Sequence, residues 1–151
     1  MSSVFVFAYG TLEVPAVMEA VTGWVFDSAE AIAEDYARFL LKGRIYPGMT
    51  PVSGETTGGR VYFEVTQQAL MLLDKFEDEI YVRQSIAVRT DEGHWYHAYA
   101  YIIEPKDREV LSVHPWIREK FVEDHLTAYL AGCRKFHLGA TRSFSTQSPK
   151  G

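Results

Sequence analysis

The hydrophobic pattern of this chain switches between the periods of strands and helices, and the switches follow no regular order. Apolar runs and alternation predict strands at Val4–Tyr9, Ala29–Tyr36, Arg38–Lys42, Arg60–Val65, Tyr81–Arg89 and Trp95–Ile103. Helical spacing predicts helices at Pro15–Thr22, at Gln67–Phe76 and from His114 to about Gly132. Because helices and strands do not alternate one by one, the order predicts an α+β domain with a mostly antiparallel sheet, which can close into a barrel.

Residues with particular backbone preferences mark the boundaries of these elements. Gly10 ends the first strand, Thr66 is a predicted N-cap, and Asp91–Gly93 predicts the turn of a hairpin. The segment Ile45–Gly59 holds two prolines and four glycines, which predicts a loop. On the last helix, residues at helical spacing predict a buried stripe formed by Val122, Leu126, Tyr129 and Cys133.

Charge and length exclude several classes of protein. The chain has 15 basic and 20 acidic side chains, a net charge of −5, which argues against a nucleic-acid-binding surface. Its longest apolar runs have six residues, too few to span a membrane. The single cysteine cannot form an internal disulfide, which fits a reducing compartment, so we expect a cytoplasmic protein. No basic residue precedes Arg38, so we expect no signal peptide.

The distribution of charge also suggests how the chain is divided. Its 151 residues suit one domain. Residues 134–151 contain four bases and no acid. We therefore expect a single domain over residues 1–133, followed by a basic and flexible tail.

The first candidate site is the turn Tyr9-Gly10-Thr11-Leu12, which lies between a buried strand and a helix. A glycine lets the backbone turn sharply and lets a ligand approach closely. Successive backbone N–H groups in such a turn can hold a carboxylate or an oxyanion. Four residues alone cannot decide, and taken by themselves they favour a glycine that merely ends a strand.

The second candidate is Glu77, in the run Phe76-Glu77-Asp78-Glu79 at the C-terminal end of a predicted helix. The helix dipole disfavours anions at that end. Acidic residues placed there, with no nearby feature that offsets the cost, are a signal of function. Because Glu77 follows the apolar Phe76, its side chain can turn toward the sheet, where burial would raise its pKa and make it a general acid or base. Asp78 and Glu79 fit a solvated acidic loop.

The remaining chemistry-bearing residues give weaker signals. Tyrosines crowd the second hairpin, and the hydroxyl of Tyr101 is a candidate contact for a polar group of a ligand. The five histidines show no metal-ligand spacing apart from His94 and His97, which lack partners, so no metal is implied. Neither a phosphate-binding loop nor a dinucleotide fingerprint is present. Cys133 lies on a core stripe, where it fits packing better than a nucleophile.

Five short sequence blocks follow one another along residues 4–103, and their order and spacing carry a resemblance. They are the strand running into Tyr9-Gly10-Thr11-Leu12, then Tyr46-Pro47-Gly48, then Gly58-Gly59-Arg60-Val61-Tyr62, then Leu73-Asp74-Lys75-Phe76-Glu77-Asp78 with Tyr81-Val82-Arg83, and finally Ala98-Tyr99-Ala100-Tyr101. Together the blocks resemble the γ-glutamyl cyclotransferase-like superfamily, and more specifically its branch named after a plant avirulence-induced gene.

This resemblance implies a fold, a reaction and two sets of site residues. It implies a mixed, mostly antiparallel barrel flanked by helices. It implies that Tyr9, Gly10, Thr11 and Leu12 bind the substrate and that Glu77 is the general acid/base. The reaction of the family is attack of the α-amine of a γ-glutamyl compound on its own γ-carbonyl, which releases 5-oxoproline and an amine or amino acid. The expected partner is a small γ-glutamyl molecule, and no cofactor is required.

Three functions fit these observations. The first is a γ-glutamyl cyclotransferase, and the second is a catalytically silent module that binds a small ligand on the same fold. Both would keep the turn at Gly10, but only the enzyme needs an ionisable group at Glu77. The third is a scaffold for a protein partner, which would expose an apolar patch.

Overall fold

The computed structural model describes residues 3–147, with side chains as far as Arg142. Within this range the strands are β1 Ser3–Ala8, β2 Ser28–Leu40, β3 Pro47–Thr66, β4 Val82–Thr90 and β5 Trp95–Ile102. The α-helices are α1 Pro15–Thr22, α2 Gln67–Phe76 and α3 Arg118–Gln147. Short 3-10 helices occupy Thr11–Glu13 and Pro105–Val110.

The strands close into a barrel in the order β1-β3-β2-β4-β5. Neighbours along this order pair antiparallel, whereas β5 returns to β1 as a parallel pair at Tyr99 and Val6. The predicted fold class, an α+β domain with a mostly antiparallel sheet, is confirmed. Alternation along β1 separates two cores: Phe7 packs with side chains from all the other strands, whereas Val6 packs with the helices.

The segment 45–59 corrects a prediction, because most of it is strand rather than loop. From Pro47 onward it forms the first part of β3 and pairs with β2 on both sides of an irregularity near Asp35. The prolines fit because Pro47 is the first residue of the strand and Pro51 lies beside the irregularity, where a strand tolerates the loss of a donor. Pairing with a neighbouring strand therefore outweighs the local preference for a loop.

The same irregularity joins two predicted strands into one. Ala29–Tyr36 and Arg38–Lys42 were expected as separate strands, but β2 continues through Asp35, which has a positive φ of 67°. The carboxylate of Asp35 accepts a hydrogen bond from the N–H of Gly54 at 2.9 Å. The chain bends here without ending the strand.

The predicted start of the last helix is also corrected, from His114 to Arg118. The preceding residues are irregular instead, and the carbonyl of His114 accepts the N–H of Leu40 at 2.8 Å. The indole of Trp116 donates to the carbonyl of Ile45 at 3.1 Å. In a helix that began at His114, its carbonyl would accept an N–H of the first turn; here it accepts an N–H of the β2–β3 hairpin instead.

At its other end α3 extends past the predicted domain boundary. Residues 134–147 are helical, which corrects the expectation of a flexible tail over this stretch. Phe136 packs against Phe76 with ring centroids 5.2 Å apart, and Nδ1 of His137 lies 2.9 Å from the carbonyl oxygen of Val21. Residues 148–151 of the predicted tail lie outside the described part of the chain.

The long helix covers the side of the barrel where β1 ends. Its predicted stripe, Val122, Leu126, Tyr129 and Cys133, is confirmed as the face that packs on α1 and the barrel. Within residues 3–147, no helix is both long and apolar enough to cross a membrane. The fold thus brings the end of β1, the end of α2 and the middle of α3 together.

Candidate functional site

A cavity of about 420 Å³ lies where these three elements meet. Its lining includes every site residue that the sequence predicts, namely Tyr9, Gly10, Thr11, Leu12, Glu77 and Tyr101. The rest of the wall is mostly apolar or aromatic and includes Tyr46, Pro47, Phe76, Tyr81, Tyr129 and Cys133. A few polar groups in an apolar pocket are typical of a site for a small molecule.

The turn after β1 presents backbone donors at this pocket. Its carbonyl groups are occupied, because Gly10 accepts the N–H of Glu13 at 2.9 Å and Thr11 accepts the N–H of Val14 at 3.1 Å. Among the described residues, no acceptor is found for the N–H groups of Gly10, Thr11 and Leu12. Buried N–H groups without an acceptor are rare in proteins, so this turn is suited to an anionic ligand group.

The glycine of this turn is required by a close approach. A Cβ on Gly10 would lie 2.8 Å from Cγ and 2.9 Å from Cδ of Pro47. Pro47 is itself held in place, because the hydroxyl of Tyr81 donates to its carbonyl at 2.6 Å. Any larger residue at position 10 would displace the turn, the proline or both.

Glu77 lines the same cavity from the end of α2. Its N–H closes the helix by donating to the carbonyl of Leu73 at 3.0 Å, and its side chain lines the cavity. Burial raises the pKa of Glu77 to about 8, assisted by the negative charges of Asp78 and Asp74. Among the side chains that the structure describes, which end at Arg142, none is found to bond its carboxyl group. The group is therefore mostly protonated at neutral pH, yet it can ionise readily.

Tyr9 and Tyr101 form part of the wall, but their hydroxyls are bonded to the protein. The hydroxyl of Tyr9 donates to the carbonyl of Tyr101 at 2.5 Å and accepts the N–H of Met49 at 3.2 Å. The hydroxyl of Tyr101 donates to Asp74 at 2.6 Å, and Asp74 is also paired with Arg83 at 2.7 Å. Burial raises the pKa of both tyrosines, so both hydroxyls stay neutral. The Tyr101 hydroxyl thus uses its proton in the bond to Asp74, and its expected contact with a ligand stays a prediction.

Sequence reasoning assigned Tyr129 to the core and missed its place in the pocket. Its hydroxyl lies 3.1 Å from Oγ1 of Thr11, which ties α3 to the turn after β1. Burial is the main cause of its raised pKa. A tyrosine on an otherwise apolar stripe is the signal that could have found it, because a buried hydroxyl needs a polar partner.

The other candidate chemistries gain no support from the described residues. Cys133 lines the cavity but is buried, which raises the pKa of its thiol to about 11 and keeps it protonated. Among residues 3–147, no group of three or more His, Cys, Asp or Glu side chains is arranged to hold a metal ion. The ionisable group suited to proton transfer in this pocket is Glu77.

Comparison with known proteins relates this geometry to a family. Residues 6–139 match the family model described as "Gamma-glutamyl cyclotransferase, AIG2-like". The chain is 31% identical to AIG2-like protein D of Arabidopsis thaliana over 135 residues, which cover 87% of each protein.

Solved structures share the fold. A solution structure from Arabidopsis thaliana has a TM-score of 0.67 and 24% identity, over 87% of this chain and 89% of that one. A structure titled "Gamma-glutamyl cyclotransferase" has a TM-score of 0.57 and 16% identity, over 88% of this chain and 87% of that one.

Proposed function

The chain belongs to the gamma-glutamyl cyclotransferase, AIG2-like family, and on that premise we propose that it cyclises the γ-glutamyl group of a small γ-glutamyl compound. The products are 5-oxoproline and a free amine or amino acid. One observation carries the proposal: the pocket brings a carboxyl group with a pKa of about 8, that of Glu77, together with the free N–H groups of Gly10, Thr11 and Leu12.

The reaction is an acyl transfer within one molecule. The α-amine attacks the γ-carbonyl carbon, a C–N bond closes the five-membered ring, and the bond to the leaving nitrogen breaks. One proton leaves the attacking nitrogen and one reaches the leaving nitrogen, so the reaction is balanced without any other reactant. The protein has to hold the substrate folded in the attack geometry, and a cavity of about 420 Å³ gives room for a small molecule held in this way.

Glu77 is proposed to move both protons. As a carboxylate it takes the proton that the neutral α-amine releases as the C–N bond forms. As a carboxylic acid it then returns a proton to the leaving nitrogen. A pKa of about 8 for Glu77 suits both steps, because about one side chain in ten is ionised and can accept a proton at pH 7, while the protonated form is a ready donor. Its carboxyl group lines the cavity, and no hydrogen bond to a described side chain is among the causes of its pKa shift.

The turn after β1 is proposed to hold negative charge on the substrate. Every γ-glutamyl compound carries an α-carboxylate, and the γ-carbonyl oxygen gains charge as the amine attacks. Fixed N–H donors aimed at such an oxygen lower the barrier by roughly 3–4 kcal/mol each. The free N–H groups of Gly10, Thr11 and Leu12 are the donors for this role.

The charges around the pocket bear on the leaving group. No lysine, arginine or histidine is among the described residues that line the cavity, whereas Asp78 is. A leaving group with its own carboxylate would lack a cation to pair with and would be repelled by Asp78. We therefore expect neutral or cationic leaving amines to react faster than amino acids or peptides that carry a free carboxylate.

The test is direct detection of 5-oxoproline. The purified protein is incubated with γ-glutamyl amines, γ-glutamyl amino acids and glutathione, and 5-oxoproline is measured for each. We expect turnover of at least one compound, and loss of that turnover in Glu77→Gln, because an amide keeps the shape but transfers no proton. Glu79→Gln is the matched control, since Glu79 is exposed and does not line the cavity.

Two results would overturn the proposal. If the wild-type protein binds γ-glutamyl compounds but never forms 5-oxoproline, the chain is a ligand-binding module. If Glu77→Gln turns substrate over at the wild-type rate, Glu77 is not the acid/base.

A further inference from the structure

A guanidinium group lies behind the turn after β1, on the side away from the cavity. Nη1 of Arg38, on β2, donates to the carbonyl oxygen of Tyr9 at 2.7 Å and to that of Gly58 at 3.1 Å. Arg38 does not line the cavity of the candidate site; it lines a second cavity that also includes Gly58 and Glu13. The Tyr9 carbonyl therefore points away from the substrate pocket.

The direction of the Tyr9 carbonyl determines the direction of the Gly10 N–H. A trans peptide unit is planar, and its C=O and N–H point to opposite sides. The carbonyl of Tyr9 and the N–H of Gly10 belong to one such unit, and no cis peptide is present in the described residues. We propose that Arg38 is a positioning residue, which holds the Tyr9 carbonyl from behind and thereby turns the Gly10 N–H toward the pocket.

The guanidinium is itself held firmly enough to do this. Its side chain is only 25% exposed, and Nη1 lies 3.8 Å from the carboxylate of Glu13, at the end of the same turn. The guanidinium carbon lies 5.3 Å from the ring centroid of Trp116, in a cation–π arrangement. A planar group that bonds two carbonyls, pairs with Glu13 and stacks on Trp116 has few alternative orientations.

The effect on turnover rests on the proposed function, but the effect on the turn does not. Removing the guanidinium frees the Tyr9–Gly10 peptide unit to rotate, so that the Gly10 N–H no longer faces the ligand. The variant Arg38→Met keeps an apolar stem against Trp116 while it removes every donor. The variant Arg38→Lys keeps the charge and one point of contact.

Arg118→Met is the matched control. Nε of Arg118 lies 3.6 Å from the other oxygen of Glu13, but Arg118 makes no hydrogen bond to the turn among the described residues. This variant removes a comparable positive charge from the same cluster without releasing the Tyr9 carbonyl. It therefore separates the loss of charge near Glu13 from the loss of the anchor.

We expect kcat/KM to fall at least tenfold in Arg38→Met, to recover partly in Arg38→Lys, and to stay within twofold of wild type in Arg118→Met. The loss appears in KM where the Gly10 N–H holds the substrate carboxylate, and in kcat where it serves the developing oxyanion. Unchanged KM and kcat in a folded Arg38→Met protein overturn the inference. If Arg38→Met does not fold, Arg38→Lys carries the test, and wild-type kinetics in that variant overturn it.

A crystal structure of the unliganded Arg38→Met protein tests the geometry without reference to any reaction. We expect the Tyr9–Gly10 peptide to be rotated or to have two conformations, with the wild-type orientation kept in Arg118→Met. A peptide unit unchanged in Arg38→Met overturns the inference even if the wild-type protein is active. A rotated peptide supports it even if the wild-type protein forms no 5-oxoproline, which would overturn the proposed function alone.

Discussion

Replacing Glu77 by glutamine should make the protein more stable at alkaline pH while it removes activity. The carboxyl group lies partly buried in the pocket wall, where its pKa is raised from the ordinary 4.5 to about 8. The folded protein therefore binds this proton more tightly than the unfolded chain does. A group of this kind contributes stability that is fully present below pH 4.5 and is lost as pH rises through about 8.

The pKa values set the size of this effect. Each pH unit between the two pKa values corresponds to about 1.4 kcal/mol, so the wild-type protein loses at most about 5 kcal/mol between pH 4.5 and 8. Glutamine is neutral throughout and loses nothing. The stability difference between Glu77→Gln and wild type should thus be smallest near pH 4.5 and reach several kcal/mol, in favour of the variant, at pH 9.

Urea unfolding at pH 5, 7 and 9 measures this difference directly, and 5-oxoproline release from the same samples measures activity. Glu79→Gln is the control, because it removes an exposed charge two residues further along. We expect its stability to follow that of the wild type at each pH. If the curves of Glu77→Gln and wild type stay parallel from pH 5 to 9, Glu77 does not titrate as argued and its proposed role in proton transfer fails with it.

Three further predictions concern the walls of the pocket. Gly10→Val should lose substrate binding, rate and some stability together, because its Cβ would lie 2.8 Å from Pro47. Thr11→Ser keeps the hydroxyl beside Tyr129 and should have a mild effect. Values of kcat/KM should therefore be lower for Gly10→Val than for Thr11→Ser, with circular dichroism to check that both are folded. Asp78→Asn should lower the pKa of Glu77 and move the acid limb of kcat/KM to lower pH; the gain at pH 7 is at most about tenfold, because about one in ten Glu77 side chains is ionised there at a pKa of about 8. EDTA should not inhibit 5-oxoproline formation, and inhibition reversed by a divalent metal would contradict this.

The sequence predicted most of the candidate site because its residues lie at the ends of strongly patterned elements. Gly10 follows an apolar strand, and Glu77 follows a helix with clear spacing and an N-cap, the side chain of Thr66 accepting the N–H of Ala69 at 3.2 Å. Such ends are visible in one sequence. The contacts between the ends are not visible there. The sequence could show that the hydroxyl of Tyr129 needs a polar partner, but not that this partner is Thr11.

The errors in the fold have a common cause in long-range pairing. The glycines and prolines of 45–59 favour a loop locally. This segment nevertheless pairs with β2, and those hydrogen bonds form only when the chain folds back on itself after Leu40. The start of α3 moves to Arg118 because His114 bonds Leu40 on the same hairpin. In both places a partner elsewhere in the chain decided between local alternatives.

The acid at the end of α2 shows how a locally unfavourable residue can be a functional one. A carboxylate at a helix C-terminus is disfavoured by the helix dipole, and burial disfavours its charge as well. Both effects act on the same form of Glu77, since both destabilise the carboxylate and leave the protonated acid unharmed. They therefore raise the pKa of Glu77 in the same direction, toward the value that proton transfer near neutral pH requires. A solvated carboxylate at the helix N-terminus would stabilise the fold better, but it would stay ionised and could not return a proton to a leaving amine.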